Sequence, residues 1–115
     1  MTITLYGIPN CDTVKRARAF LTAQGTAHAF HDFKKAGVPE DQLDTWLAAV
    51  GWETLLNRKG TTWRGLPDAE KAVVTDAASA RALMLRQVSV IKRPVVAWAD
   101  GRVTVGFDAE AWASR

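Results

Sequence analysis

The chain is predicted to adopt an α/β fold, a four-stranded mixed sheet with a helical insertion between its second and third strands. Three observations lead there. Two short strand-like segments, Ile3 to Tyr6 and His28 to Phe33, are separated by one amphipathic run. A stretch from about residue 37 to 90 carries helical rather than alternating periodicity, and two β-rich segments flank Asp100-Gly101. Hydrophobic period, near 2 for a strand and near 3.6 for a helix, separates these cases.

The elements follow in order. Ile3-Thr4-Leu5-Tyr6 is a short apolar strand that ends in the breaker run Gly7-Ile8-Pro9-Asn10. From Asp12 to Gln24, Val14, Ala17, Phe20 and Leu21 recur on one face, so this run is a helix with a packing stripe. Gly25 turns the chain, and between Thr26 and Phe33 the side chains alternate, giving a second strand. A strand, a helix and a second strand make a crossover, so the two strands are expected to be parallel. Beyond Pro39, a first-turn residue, Leu43, Trp46, Leu47 and Val50 have i, i+3, i+4, i+7 spacing, and Gly51 is the stop. Trp52 to Leu56 reads as a short helical turn and Asn57 to Thr62 as a loop. Two further helices are expected at Asp68–Val74 and Asp76–Gln87, the latter with Ala80, Leu83, Met84 and Gln87 on one face. Pro94 to Ala99 and Arg102 to Phe107 form a hairpin about Asp100-Gly101, for which a type I′ turn is predicted. A last helix, Ala109 to Ser114, can cover the sheet.

This order is that of the thioredoxin-like (glutaredoxin-like) fold, and 115 residues, 48% of them hydrophobic, fit a single domain over residues 1–115 with its helical insertion at about 37–90. One cysteine allows no intrachain disulfide, which agrees with a reducing cytoplasm. No signal peptide is read at the amino terminus, and no apolar run approaches the ~20 residues that span a bilayer, so a cytoplasmic protein with no membrane partner is expected. A net charge of +3 without a basic, aromatic-interleaved helix gives no expectation of nucleic-acid binding. The positive residues are nevertheless clustered, at Lys15-Arg16-x-Arg18, at Arg58-Lys59 through Arg64, and at Lys92-Arg93.

The lone thiol, Cys11, lies where the first strand passes into the first helix. Unpaired N–H groups and the positive end of the macrodipole favour a thiolate there, and the thiolate is the attacking form. Lys15 and Arg18 share the Cys11 face of the helix, so both are expected to lower its pKa further. Asn10 and Asp12 flank the sulfur and complete the loop expected to meet substrate. Where a Cys-x-x-Cys protein carries its resolving thiol this chain has Val14, so a covalent intermediate must be released by an external thiol. No metal site is expected: His28 and His31 are three apart on a strand and face opposite sides, and there is no zinc spacing. There is no phosphate-cradling Gly-x-x-x-x-Gly-Lys loop either.

Three segments carry a resemblance: Tyr6-Gly7-Ile8-Pro9-Asn10-Cys11-Asp12-Thr13-Val14-Lys15-Arg16-Ala17-Arg18, Leu55-Leu56-Asn57-Arg58-Lys59-Gly60-Thr61-Thr62-Trp63-Arg64, and Lys92-Arg93-Pro94-Val95-Val96. In that order they resemble the arsenate reductase-like (ArsC) family, and within it the YffB-type subgroup, small proteins suggested to be glutathione-dependent thiol reductases. The resemblance implies a nucleophilic cysteine at Cys11, an anion-binding arginine at Arg93, and a proline beside the nucleophile at Pro94. That proline is cis in the fold, whereas pattern alone leaves both isomers open. The family's second oxyanion arginine falls at Asn57, with Arg58 one step late, and its third at Gly106.

The expected function is a glutathione-dependent monothiol reductase in which Cys11 attacks a mixed disulfide, with no bound cofactor and with glutathione or another small thiol as co-substrate. The two carboxylates of glutathione are expected to be held by Arg93 and by Arg58 or Lys15. One alternative is a glutathione-coupled arsenate reductase acting on an oxyanion. Another is a regulator similar to Spx that binds RNA polymerase, a family relative whose Cys-x-x-Cys switch is missing here because of Val14.

Overall fold

In the computed structural model, which describes residues 2–115, the sheet has the order β2-β1-β3-β4. Strand β1 (Ile3–Gly7) pairs in parallel with β2 (His28–Asp32) and antiparallel with β3 (Val95–Ala97), which pairs antiparallel with β4 (Val103–Val105). The helix between the parallel strands is α1 (Asp12–Ala23). These are the mixed α/β sheet and the β-α-β opening expected from the alternation.

The chain divides into two compact units, residues 1–36 with 93–115, and residues 37–92. In the first, Val14, Ala17 and Leu21 of α1 are buried with Leu5, Val96, Trp98 and Trp112, and Ile3, Cys11, Phe20, Phe30 and Phe107 pack at the margin of this core. Trp112 belongs to α8 (Ala109–Ala113), whose first turn is capped by Asp108 accepting from the Glu110 and Ala111 amides. Its ring meets Trp98 edge-on at 5.0 Å and Phe107 at 4.8 Å between centroids, so aromatic mass seals this face. Trp98 Nε1 donates to Thr104 Oγ1 at 2.8 Å, which satisfies the one polar atom that its burial would strand.

The second unit is helical: α3 (Glu40–Val50), α4 (Trp52–Leu55), α5 (Thr61–Arg64), α6 (Asp68–Ala72), α7 (Ala77–Arg86) and a 3-10 turn at Val88–Val90. Leu43, Trp46, Leu55, Ala80, Leu83, Met84, Val90 and Ile91 are buried. Asp76 and Ser79 form a reciprocal capping box on α7. Arg81 of α7 reaches both Asp44 (2.7 Å) and Glu40 (3.2 Å) of α3.

Three local expectations are corrected. The hairpin turn is not type I′, because that turn needs positive φ at both central residues and Asp100 does not have it. Instead Gly101 N–H donates to Trp98 C=O (3.0 Å), Trp98 N–H donates to Arg102 C=O (2.9 Å), and Gly101 alone has positive φ: a three-residue loop closed by a glycine bulge. Thr61 and Thr62 are not loop but open α5, where Arg64 and Gly65 N–H groups donate back to the Gly60 and Thr61 carbonyls. Phe33 does not end β2; it begins a short helix α2 (Phe33–Ala36), whose Lys34 and Lys35 amides donate to Asp32 Oδ1. Among the described residues, no helix is long and apolar enough to cross a membrane, and no cluster of His, Cys, Asp and Glu could hold a metal.

Candidate active site

Gly7 ends β1 where the next element must come close. A Cβ there would fall 2.8 Å from Val14 Cγ2, so glycine lets the first turn of α1 press against the strand. The connecting turn is closed by Cys11 N–H donating to Ile8 C=O (3.2 Å), and Cys11 C=O accepts the first helical bond, from Lys15 N–H (2.9 Å). Cys11 is therefore the N-cap of α1, with extended backbone (φ −81°, ψ 124°) and a partly exposed side chain.

As a neutral thiol Cys11 makes no formal capping bond. Once ionised, it is favoured by its surroundings. Burial opposes the charge, but the Val14 amide, the hydrogen bond and charge of Arg93, and the Thr13 amide together outweigh it, and the pKa lies below the usual thiol value. Val14 and Thr13 are the third and second helical positions, the donors an N-cap side chain ordinarily meets. The helix terminus thus acts through specific N–H groups.

Arg93 is half-buried and leads into the buried Pro94 across a cis peptide bond. The pairing of Tyr6 with Val95 runs β3 antiparallel beside β1, so residues 94 and 93 continue past the end of β1 towards the Cys11 turn. Pro94 C=O accepts from Gly106 N–H (2.9 Å), tying this strand start to the segment after β4.

The site residues named from sequence are thus divided. Cys11, Arg93 and Pro94 come together at one end of the sheet, with Asn10 and Asp12 exposed on either side of the sulfur. Lys15 and Arg18 are exposed on α1 but are not among the groups that depress the thiol, a correction to the expectation that they would. The guanidinium of Arg18 lies 4.2 Å from the Phe30 ring instead. Arg58 belongs to the second unit, where its guanidinium lies 5.3 Å from the Trp52 ring and 5.9 Å from that of Trp63. There it lines a hollow of about 400 Å³ with Glu53, Asn57, Lys59 and Lys92. Sequence reasoning assigned Arg93 to substrate alone and missed its contact with the thiolate. The available signal was the resemblance, which sets Pro94, and with it the preceding Arg93, beside the nucleophile; periodicity alone does not reveal the β1–β3 register.

A family model described as the ArsC family matches residues 6–114. An uncharacterised protein of Haemophilus influenzae is 34% identical over 110 residues, 96% of this chain and 95% of its own length. Among solved structures, the YFFB protein is 48% identical with a TM-score of 0.91, covering 98% of this chain and 97% of that one. An arsenate reductase (ArsC) related protein from Brucella melitensis is 49% identical with a TM-score of 0.77, covering 99% and 93%.

Proposed function

Because this chain belongs to the ArsC family, we propose that it is a glutathione-dependent monothiol reductase of mixed disulfides, with Cys11 as its only covalent catalyst. Family membership and the arsenate-reductase-related structure support thiol-based reductase chemistry in general. The observation that carries the finer reading is the pairing of Cys11 with Arg93 at a helix start whose position 14 is a fully buried valine. A stabilised thiolate is provided for, and a resolving thiol is not.

In the first step the Cys11 thiolate attacks the glutathionyl sulfur of a mixed disulfide. The Cys11–glutathione disulfide forms, the original S–S bond breaks, and the substrate leaves as a thiolate that takes a proton from water. Cys11 Sγ is then no longer charged, so the Arg93 guanidinium turns to a glutathione carboxylate, which its planar fork can hold bidentately. In the second step the thiolate of a second glutathione attacks the bound glutathionyl sulfur, giving glutathione disulfide and the free Cys11 thiolate. Two glutathione equivalents supply the two electrons, and no bound cofactor is required.

Single-turnover mass spectrometry tests this directly. Mixed with a glutathionylated peptide and no free glutathione, the protein is expected to gain one glutathionyl group on Cys11 while one peptide thiol appears, and added glutathione should remove it. Cys11→Ser should form no adduct. Peptide reduction by that variant at the unmodified rate would end the proposal.

A further inference from the structure

We propose that the exposed face of α1 leading away from Cys11 is a docking groove for the protein half of the mixed disulfide, and that it selects acidic segments; this rests on the reductase reading above. Cys11, Lys15, Arg18 and Thr22 follow one another at helical spacing and so share one stripe of α1. Along that stripe a shallow groove of about 480 Å³ is lined by Lys15, Arg18, Ala19, Thr22 and Ala23. Small side chains give it a floor, two cations stand in it, and no carboxylate lines it.

The charge of this groove is available to a partner. Neither Lys15 nor Arg18 takes part in any of the ion pairs among the described residues. The Arg18 guanidinium carbon lies 4.2 Å from the centroid of the Phe30 ring, a cation–π contact that leaves the N–H donors for a carboxylate. In the second unit basic and acidic residues balance, so the whole net charge of +3 resides in the unit that carries Cys11. Two cations over small side chains match a short acidic peptide rather than a polyanion.

Spacing sharpens the proposal. The helical rise places Lys15 about 6 Å and Arg18 about 10 Å from Cys11 along the axis of α1. An extended peptide advances about 3.3 Å per residue, so its carboxylates should lie two and three residues from the cysteine that carries glutathione. The redox step is the one already written: the acidic segment leaves with the peptide thiolate, and glutathione stays on Cys11.

The test uses short glutathionylated peptides that differ only at the second and third residues on either side of the cysteine, bearing glutamate, serine or lysine. The readout is the ratio of kcat/KM for the acidic peptide to that for the basic one, which cancels changes in the thiol itself. At low ionic strength the unmodified protein is expected to prefer the acidic peptide by about fivefold or more. The ratio should fall towards one in 1 M salt, where the Debye length is about 3 Å. In Lys15→Glu/Arg18→Glu, with folding verified by circular dichroism, the ratio should invert. A ratio near one in the unmodified protein, or an acidic preference that survives the double reversal, overturns the proposal. If neither the peptides nor a small glutathione mixed disulfide is reduced, the reductase reading fails instead, and this proposal with it.

Discussion

Replacing Arg93 by alanine separates the two duties assigned to it. Arg93 is the one side chain that lowers the Cys11 pKa, by hydrogen bond and by charge, so its loss should raise that pKa towards the usual thiol value. Under the proposed function its second duty is to a substrate carboxylate, a charge-assisted hydrogen bond worth about 1.5–3 kcal/mol, or about 10- to 150-fold in kcat/KM. Cys11 is partly exposed, and solvent screening places the effect in the lower half of that range. Two assays divide the effect. Alkylation by a neutral reagent as a function of pH reports the thiolate alone, whereas glutathione-dependent turnover reports thiolate and carboxylate together. The pH midpoint is the better readout of the first, because a thiol of higher pKa is also intrinsically more nucleophilic and partly offsets the loss at any single pH. Arg93→Lys should recover most of the midpoint and little of the turnover, since an ammonium keeps the charge and loses the fork. An unmoved midpoint together with turnover within twofold of the unmodified protein would refute the reasoning.

In the unmodified protein the alkylation midpoint should lie below that of free cysteine, and a midpoint at or above it would make Cys11 a packing residue. Asp76→Ala should lower Tm at neutral pH by removing the cap of α7. The Ser79 amide and hydroxyl hold the Asp76 carboxyl below its ordinary value, so its contribution is full above that value and lost as pH falls through the depressed one. The Tm difference should therefore close in acid, which a pH series by circular dichroism would check. Trp112→Ala should cost about 3–5 kcal/mol in denaturant unfolding, because the ring is 3% exposed among Trp98, Phe107 and Phe20. Arsenate turnover with glutathione should be far below mixed-disulfide turnover on the same preparation, and the reverse order in kcat/KM would favour the oxyanion reading.

Much of the first unit was legible because its signals are local. Ile3 to Tyr6, the stripe Val14, Ala17 and Leu21, and the paired runs about Asp100-Gly101 each declare a period within a dozen residues. The hairpin turn was misread because Asp-Gly serves two turn types, and the choice lay in whether Asp100 or only Gly101 takes positive φ. Thr61 and Thr62 were misread because a single turn of helix has no periodicity to detect, and α5 forms through backbone bonds to Gly60 and Thr61. At the site, the helix-start thiol could be found from the residues around it, but their periodicity does not say which cation meets it. Lys15 and Arg18 are near in sequence, whereas Arg93 arrives through the antiparallel pairing of β3 with β1.

The positions where the resemblance places two further oxyanion arginines are occupied here by residues with structural tasks. Asn57 Oδ1 accepts from the Lys59 amide (3.1 Å) and Asn57 N–H donates to Val90 C=O (2.8 Å), so this side chain shapes the loop before α5. Its amide nitrogen also lies 2.9 Å from where a Cβ on Gly60 would stand, so the loop has closed down on a glycine. Arg58, one residue on, faces the Trp52 and Trp63 rings. Gly106 has φ of 85° and donates its N–H to Pro94 C=O, and an arginine in that backbone would carry about 1–3 kcal/mol of strain beside the strand start that presents Arg93. Arginine at either position would therefore disturb a turn or a strand end before it met a ligand. The first unit instead concentrates its chemistry in one thiolate and one guanidinium. Under the proposed function, a carboxylate-bearing disulfide would meet two interactions in this unit, an attack at sulfur and a fork on its carboxylate, whereas the growing charge of an oxyanion would meet the one guanidinium beside the thiolate. That asymmetry is the physical ground for placing disulfide exchange ahead of arsenate reduction.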